Sequence, residues 1–498
     1  MIGRKLFVLA FCALAAPAWA QAPLAAEVKH YADSHRAAII TEYLNLLALP
    51  NVHGDAAALQ RNAALLHTMM QKRGLETELW ETSRGVPVVF GQKLVRGATR
   101  TILFYIHYDG QPVDPKRWSQ PDPFVPVIRT TSIERGGQVV TDLAGATYPD
   151  DWRIYARAAG DDRAPIEAML CALDAIGRPK QNVKIILDGE EEGGGPGLAE
   201  VIAKFPAKLK SDLLVILDGP QHASGRPTMF YGARGGVALN VTVFTAKQGM
   251  HSGNYGNWMP DANVRLAQLI AAMVGPTGKV AIPGFYNEVL PFPSAARAMM
   301  EAVPDRSADM QKDFGVGSLD GAASSLQEGL NMPSFSVHDM KGGEVGGVIP
   351  ASASAQIEVR LVKDNDPKAM VERITAFIRA QGYFVTDKEP DIATLASHPR
   401  VAKVVRGARN GGAWRTEPDD PQAALATRAL MAVWGDRLVR IRTLGGSVPA
   451  TPFIEAYKVP TIGVAIANYD DNQHTDNENV RIGNIFDGMI TLAALMMR

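Results

Sequence analysis

Histidine and acidic residues that could bind metal ions are spread along the chain, and most of them follow apolar segments. The candidates are His107 with Asp109, Asp161 with Asp162, the triplet Glu190, Glu191 and Glu192, and then Asp218 and His474. Imidazole nitrogen and carboxylate oxygen are ligands that suit zinc, cobalt or manganese. Because none of these positions is a cysteine, the pattern favours a catalytic metal site over a structural thiolate site.

Two metal ions held close together need a carboxylate between them and can bind one water together. Such a water loses a proton near neutral pH and becomes a nucleophile for hydrolysis. Each of these motifs is weak evidence by itself. A lone histidine after a strand is commonly a hydrogen-bonded loop residue, and an acidic pair commonly caps a helix. An acidic triplet is commonly part of a charged surface. Burying several like charges together is costly without a cation, and this favours a shared metal site.

The elements that position these residues have the pattern of an α/β fold. Apolar segments at 101–106, 183–187, 213–217 and 461–466 each lead to one of the polar clusters, and helical patterns at 55–73 and 164–176 lie between them. Continuous apolar segments of this length are typical of strands covered on both faces. In sheets built from alternating strands and helices, functional groups gather at the carboxyl ends of the strands.

A different pattern over residues 235–388 indicates a second, smaller α/β domain. Segments 237–243 and 355–361 alternate between apolar and polar residues, as strands with one solvated face do, and 259–273 and 367–381 have helical patterns. We expect this domain to be inserted into a main domain formed by residues 21–234 and 389–498. A chain of 498 residues is long enough for two domains.

The first twenty residues have the pattern of a signal peptide. Arg4 and Lys5 precede an apolar stretch, and the small residues Ala18 and Ala20 mark a cleavage site before Gln21. The alternative is a membrane anchor, but the apolar stretch is shorter than the roughly 20 residues that span a bilayer. We therefore expect an exported protein, periplasmic or secreted, that is free of the membrane after cleavage. A formal net charge of -1 argues against nucleic-acid binding.

Four segments together resemble the dinuclear-zinc metallopeptidase family of carnosinase-type dipeptidases, aminoacylases, glutamate carboxypeptidases and succinyl-diaminopimelate desuccinylase. Residues 107–113 (HYDGQPV) resemble the family's H-x-D-V-x-P segment, and 155–165 (YARAAGDDRAP) resemble G-R-G-x-x-D-D-K-G-P. Residues 188–195 (DGEEEGGG) resemble E-G-x-E-E-x-G-S, and 474–478 (HTDNE) resemble H-S-x-N-E. The order and spacing of these segments extend over nearly the whole mature chain.

The resemblance implies a catalytic domain with a central mixed sheet flanked by helices, and a role for each candidate residue. The implied metal ligands are His107, Asp161, Glu192, Asp218 and His474. Asp161 would bridge two divalent ions, zinc in preference to manganese or cobalt. Glu191 would be the general base, which needs a carboxylate that is not a ligand. Asp109 would orient the His107 imidazole. Which residue of the Glu190–Glu192 triplet is the ligand and which is the base depends on the alignment of the family's motif to Gly194 and Leu198.

The resemblance also implies that the inserted domain is a lid through which two subunits form a homodimer. Residues 250–256 (MHSGNYG) match the entrance to the family's lid, where His251 would reach the partner's active site and polarise the scissile carbonyl. Arg360 matches an arginine that binds the substrate carboxylate, although a solvated strand position is the alternative. Gly446 and Ser447 lie in a loop that resembles one lining the same pocket. Gly347 stands where dipeptidase relatives often carry threonine, which leaves substrate size open.

These observations predict metal-dependent hydrolysis of amide bonds in dipeptides or short peptides by a metal-bridging hydroxide. An N-acyl-amino-acid deacylase or a glutamate-type carboxypeptidase is the nearest alternative. An exported metal-dependent binding protein without turnover is an alternative of another class, as is a periplasmic solute-binding protein. A metal-dependent binding protein would not need Glu191 as a free base beside Glu192. A solute-binding protein would not need five ligand-type residues at strand ends.

Overall fold

The computed structural model describes residues 22–289, 291–343, 346–448 and 451–498. The predicted signal peptide over residues 1–20 lies outside the described residues. Within them, the strands in chain order are β1 (Glu76–Trp80), β2 (Val88–Lys93), β3 (Thr101–His107), β4 (Val127–Arg129), β5 (Arg153–Tyr155), β6 (Asn182–Asp188), β7 (Leu213–Ile216), β8 (Thr228–Phe230), β9 (Gly232–Ala233), β10 (Gly235–Phe244), β11 (Met250–His251), β12 (Ser334–Gly342), β13 (Val348–Ile349), β14 (Ser352–Leu361), β15 (Phe384–Thr386), β16 (Val401–Gly411), β17 (Trp414–Arg415), β18 (Val439–Ile441), β19 (Thr461–Ala465) and β20 (Asn479–Arg481).

The α-helices of the described residues lie between these strands and at the two ends. They are α1 (Ala22–Leu47), α2 (Ala56–Lys72), α3 (Arg163–Ile176), α4 (Pro196–Lys204), α5 (Pro206–Leu209), α6 (Ser252–Tyr255), α7 (Ala262–Met273), α8 (Ser294–Glu301), α9 (Ser307–Asp313), α10 (Leu326–Leu330), α11 (Pro367–Ala380), α12 (Ile392–Ser397), α13 (Pro421–Trp434), α14 (Thr451–Tyr457) and α15 (Ile482–Met496). Among the described residues, no helix combines the length and apolar character needed to cross a membrane.

The larger sheet joins eight strands of the described chain in the order β1-β2-β6-β3-β7-β19-β8-β18. It is mixed, because β3 pairs in parallel with β6 and β7, and β7 with β19, whereas β2 pairs antiparallel with β6. Helices cover both faces: Phe104 of β3 packs in the core that includes α1, α3 and α15, while Tyr105 packs on the other side with α4 and α14. Burial on both faces explains the continuous apolar segments, and the predicted α/β fold is confirmed.

The smaller sheet has the order β12-β14-β10-β16-β15. Its inner face packs against α7 and α11, and alternate residues of β14 such as Ile357 and Val359 are fully buried there. The residues between them, including Glu358 and Arg360, lie on the opposite and more polar face.

The smaller sheet extends one strand beyond the expected boundary between residues 388 and 389. β16 lies beyond that boundary, yet it pairs with β10 along nearly its whole length and with β15. The smaller sheet therefore continues to residue 411. The partner strand β10 precedes β16 by more than 150 residues (401 minus 244), so the pairing leaves no local signal in the sequence.

Candidate metal centre and active site

The carboxyl ends of the central parallel strands place the predicted ligands at one edge of the larger sheet. His107 is the last residue of β3, and Asp218 follows the end of β7 at Ile216. Glu192 lies in the turn after β6, and His474 lies between β19 and β20. Because β3, β6, β7 and β19 run parallel, their ends meet at the same edge. The structure thus brings together residues that are up to 367 positions apart (474 minus 107).

Asp161 lies at the centre of this cluster, in the loop between β5 and α3. One carboxylate oxygen is 2.9 Å from His107 Nε2, and the other is 3.0 Å from His474 Nε2. In the described part of the chain, two groups have possible ligand atoms that lie within 4.8 Å of one another. One group is His107, Asp161 and Asp218, and the other is Asp161, Glu192 and His474. Asp161 is shared, so its two oxygens face two separate ligand sets.

Asp109 contacts both ligand sets from the interior. Its Oδ1 lies 3.3 Å from His107 Nδ1, and its Oδ2 accepts the backbone N–H of Glu192 at 3.1 Å. Since Nδ1 is engaged in this way, Nε2 of His107 points towards Asp161. His107 Nδ1 also lies 3.2 Å from the backbone carbonyl of Asp109, which is completely buried. Asp109 therefore contacts the imidazole through its backbone and side chain, and it holds the turn that carries Glu192 through its carboxylate.

Glu478 is a buried residue that the sequence analysis quoted within a motif without giving it a role. Its carboxylate accepts the backbone N–H groups of Ala158, Gly160 and Asp161 at 2.9, 3.1 and 3.0 Å. It also forms an ion pair of 2.7 Å with Arg157. The loop that carries Asp161 is therefore fixed from behind by a residue only four positions after His474.

Two glutamine side chains were also missed by the sequence analysis. Gln111 donates its amide to Glu192 Oε2 at 2.7 Å, and Gln473 donates to Asp161 Oδ2 at 2.6 Å. Both glutamines are next to or within the quoted motifs, but amides in a loop carry no distinctive signal. They restrict the rotamers of two candidate ligands.

The site is rich in negative charge at low solvent exposure. Burial, followed by the neighbouring charge of Asp161, raises the pKa of Asp218 to about 7. Burial also raises the pKa of Glu191 well above the usual carboxyl range, and Asp218 and Glu192 raise it further. The nitrogen and oxygen donors suit divalent cations, and cations would offset the repulsion among the carboxylates. The residues present therefore fit a pair of metal ions.

Glu191 differs from its neighbours in the triplet. Of the described residues in the two ligand groups, Glu192 is a member and Glu191 is not. Glu190 points elsewhere, since its Oε1 forms an ion pair of 2.6 Å with Arg84. Glu191 thus lies next to the candidate ligand Glu192 in the same turn and has a carboxylate outside both sets.

The substrate-binding candidates are brought together only in part. Arg360 of β14 donates Nη1 to Ser447 Oγ at 3.1 Å, which joins the polar face of the smaller sheet to a loop after β18. The carbonyl of Gly446 accepts the backbone N–H of Arg234 at 3.1 Å. His251 lies exposed on a two-stranded ribbon, opposite Val348, and belongs to neither ligand group among the described residues.

Comparisons with known proteins agree with this geometry. Residues 103–498 match the model of peptidase family M20/M25/M40. The human Beta-Ala-His dipeptidase is 26% identical over 433 residues, which cover 83% of this chain and 77% of that protein. The Cys-Gly metallodipeptidase of Schizosaccharomyces pombe is 24% identical over 417 residues, covering 81% and 80%.

Solved structures share the fold over nearly the whole chain. The structure of human carnosine dipeptidase 1 has a TM-score of 0.72 at 23% identity and covers 95% of this chain and 98% of that one. An M20 family metallo-carboxypeptidase from Sulfolobus solfataricus also has a TM-score of 0.72 at 23% identity, covering 92% and 98%. With the family model matched over most of the chain, the protein belongs to peptidase family M20/M25/M40 and is a metallopeptidase.

Proposed function

We propose that this protein is a dipeptidase that binds two divalent cations, zinc in preference to manganese or cobalt. The observation that carries the proposal is the shared position of Asp161 between two ligand groups. Similarity to a Beta-Ala-His dipeptidase and a Cys-Gly metallodipeptidase, each over most of its length, favours dipeptides as the substrate class. His107 and Asp218 would hold one ion, Glu192 and His474 the other, with Asp161 between them.

The bound ions would supply Lewis-acid activation of water and of the scissile carbonyl. Glu191 would accept a proton from the attacking water and return it to the leaving amine. Its position outside the ligand sets suits this role, because a general base needs a carboxylate that is not a metal ligand. Asp109 would keep the His107 ring in one orientation through Nδ1.

Arg360, with Ser447 and Gly446, would bind the terminal carboxylate of the dipeptide. A guanidinium matches a carboxylate with two parallel hydrogen bonds, so binding there would favour exopeptidase cleavage over cleavage within long chains. His251 would donate to the oxyanion that develops on the carbonyl. Its exposed position is consistent with a role completed by closure of the lid against a partner subunit, and we therefore propose a homodimer.

We further propose that the protein is exported to the periplasm or secreted, with residues 1–20 acting as a cleaved signal peptide. N-terminal sequencing of the protein recovered from the producing cells tests this. A first residue of Gln21 in the protein found outside the cytoplasm supports it, and a chain that keeps Arg4 and Lys5 contradicts it.

The enzymatic proposal is tested with purified protein and a substrate panel. The panel contains dipeptides, their N-acetyl and N-succinyl amino acid counterparts, and tripeptides. Hydrolysis of dipeptides with a free amine supports the proposal. Preference for acylated amino acids would favour the deacylase alternative, and removal of single residues from longer peptides would favour a carboxypeptidase.

A further inference from the structure

Glu358 lies beside Arg360 on the polar face of β14. The two residues are separated by one position, so their side chains leave the strand on the same side. The carboxylate Oε1 of Glu358 is 2.9 Å from Nε of Arg360. Only 12% of the Glu358 side chain is exposed, against 29% of Arg360. In this ion pair the carboxylate is therefore mostly shielded from solvent, and the guanidinium is partly exposed to it.

The Arg360 guanidinium is held at two of its edges. Glu358 Oε1 lies against the Nε edge as an ion pair without hydrogen-bond geometry, and Ser447 Oγ accepts a hydrogen bond from Nη1 at 3.1 Å. A guanidinium is planar, so the hydrogen bond at one terminal nitrogen and the charge contact at Nε together limit the orientation of the whole group. A ligand carboxylate approaching the terminal nitrogens meets a group that is already oriented.

The surroundings also require a negative charge at position 358. Arg234 lies nearby and is buried, and its Nη2 donates to Met332 O and Ser334 Oγ at 2.8 and 2.9 Å. Burial, followed by the charge of Arg360, lowers the pKa of Arg234 to about 10, and Glu358 acts in the opposite direction. His338 Nε2 lies 3.5 Å from the other oxygen of Glu358. One carboxylate thus stands among three basic side chains.

We propose that Glu358 is a positioning residue that holds Arg360 in the orientation needed to bind the terminal carboxylate of the substrate. This inference rests on the proposed dipeptidase function. Removal of the carboxylate would leave two arginines close together without the negative charge between them, and Arg360 would turn towards solvent. The loss would affect binding of the substrate carboxylate and leave the metal ligands in place.

The test compares Glu358→Gln with wild type on alanyl-glycine and on alanyl-glycinamide, which lacks the terminal carboxylate. We expect KM for alanyl-glycine to rise about tenfold, the order expected for one hydrogen bond to a charged group, with kcat nearly unchanged. KM for the amide should stay near its wild-type value. Glu358→Asp, which keeps the charge on a shorter side chain, should restore part of the affinity.

A binding measurement separates orientation from turnover. The probe is the ketomethylene isostere of alanyl-glycine, which cannot be hydrolysed, and its Kd should rise in Glu358→Gln as KM does. The matched control is Asp339→Asn, which removes an exposed acid on the neighbouring strand β12 whose partner is Lys341. This control should leave both constants unchanged.

Four results would overturn the inference. Equal rises in KM for alanyl-glycine and for alanyl-glycinamide would show a general structural effect. A rise in KM confined to dipeptides with basic side chains would show that Glu358 contacts the substrate directly. Unchanged constants in Glu358→Gln, while wild type cleaves alanyl-glycine, would refute the positioning role alone. If metal-loaded wild type cleaves no dipeptide, the proposed function itself fails, and the inference fails with it.

Discussion

The carboxylate of Glu478 accepts the backbone N–H of Asp161 at 3.0 Å and so fixes the residue that faces both ligand groups. The same carboxylate pairs with Arg157, and both side chains are almost fully buried. Replacing one partner of a buried ion pair leaves an uncompensated charge, whereas exposed pairs contribute little.

We expect Glu478→Gln to lower metal affinity by roughly 10- to 100-fold, because the variant loosens the loop that presents Asp161. Equilibrium dialysis followed by metal analysis measures this. The matched control is Asp476→Asn in the same loop, whose partner Arg117 is largely exposed, and it should retain wild-type affinity. Equal metal binding in the Glu478 variant and wild type would contradict the positioning of Asp161 by Glu478.

A second prediction concerns Glu191. We expect Glu191→Gln to keep its metal content and to lose roughly 100- to 10,000-fold in kcat, the usual contribution of a proton-transfer group. Glu190→Gln is the control, because Glu190 is paired with Arg84 and belongs to neither ligand group among the described residues. Steady-state kinetics on a cleaved dipeptide and metal analysis are measured on the same samples. A large loss of kcat in the Glu190 variant with a small loss in the Glu191 variant would mean that the roles within the triplet are shifted by one position.

Metal stoichiometry gives a third prediction. Because Asp161 is common to both groups, Asp161→Asn should reduce the content of both ions, whereas Asp218→Asn should affect one. Chelation of wild type should abolish hydrolysis, and added zinc, manganese or cobalt should restore it. Metal analysis of the two variants, side by side with wild type, measures the difference. Unimpaired hydrolysis after exhaustive chelation would exclude a metal-dependent mechanism.

A fourth prediction concerns stability and involves a buried acid outside the active site. Burial raises the pKa of Glu167 in α3 from 4.5 to about 8. Its surroundings contain the following titratable or charged residues: Cys171, whose thiol donates to it, and Glu42, Tyr43, Arg73 and Asp174. Between these two pKa values the folded state holds a proton that the unfolded state has lost, so the free energy of unfolding falls as pH rises through this interval.

Glu167→Gln removes this contribution, which is on the order of 5 kcal/mol for a shift of this size. Relative to wild type, we expect the variant to gain stability between about pH 5 and pH 8, since other groups that titrate in this interval are common to both proteins. Thermal unfolding midpoints at the two pH values provide the comparison. If the unfolding midpoints of the variant and of wild type change by the same amount between the two pH values, Glu167 is ionised in the folded protein at both of them.

Much of the sheet and the ligand cluster could be predicted from the sequence, because strong local patterns specify them. The apolar segment ending at His107 is β3, and the helical pattern at 55–73 is α2, which begins after its capping residue Asp55. The carboxyl ends of parallel strands must meet, so Asp218 and His107 could be placed together without any coordinates.

The rest depends on contacts between distant parts of the chain. β16 contributes to the smaller sheet through pairing with β10, which no local pattern reports. Glu478, Gln111 and Gln473 act through hydrogen bonds to other residues, and their types are common in solvated loops. The ion pair between Glu358 and Arg360 could not be predicted either. The alternating pattern of the strand places both side chains on one face, but it does not show that they are in contact.

The contact between Arg360 and Ser447 has a consequence for substrate length. Arg360 belongs to the smaller sheet, whereas the candidate metal ligands lie at the edge of the larger sheet or in loops beside it. The hydroxyl of Ser447, in a loop after β18 of the larger sheet, connects the two sheets at this point. If Arg360 binds the terminal carboxylate of a peptide, only the peptide bond at a fixed number of atoms from that carboxylate can reach the candidate metal ligands. The spacing between the two sheets would then decide which peptides are too short and which are too long.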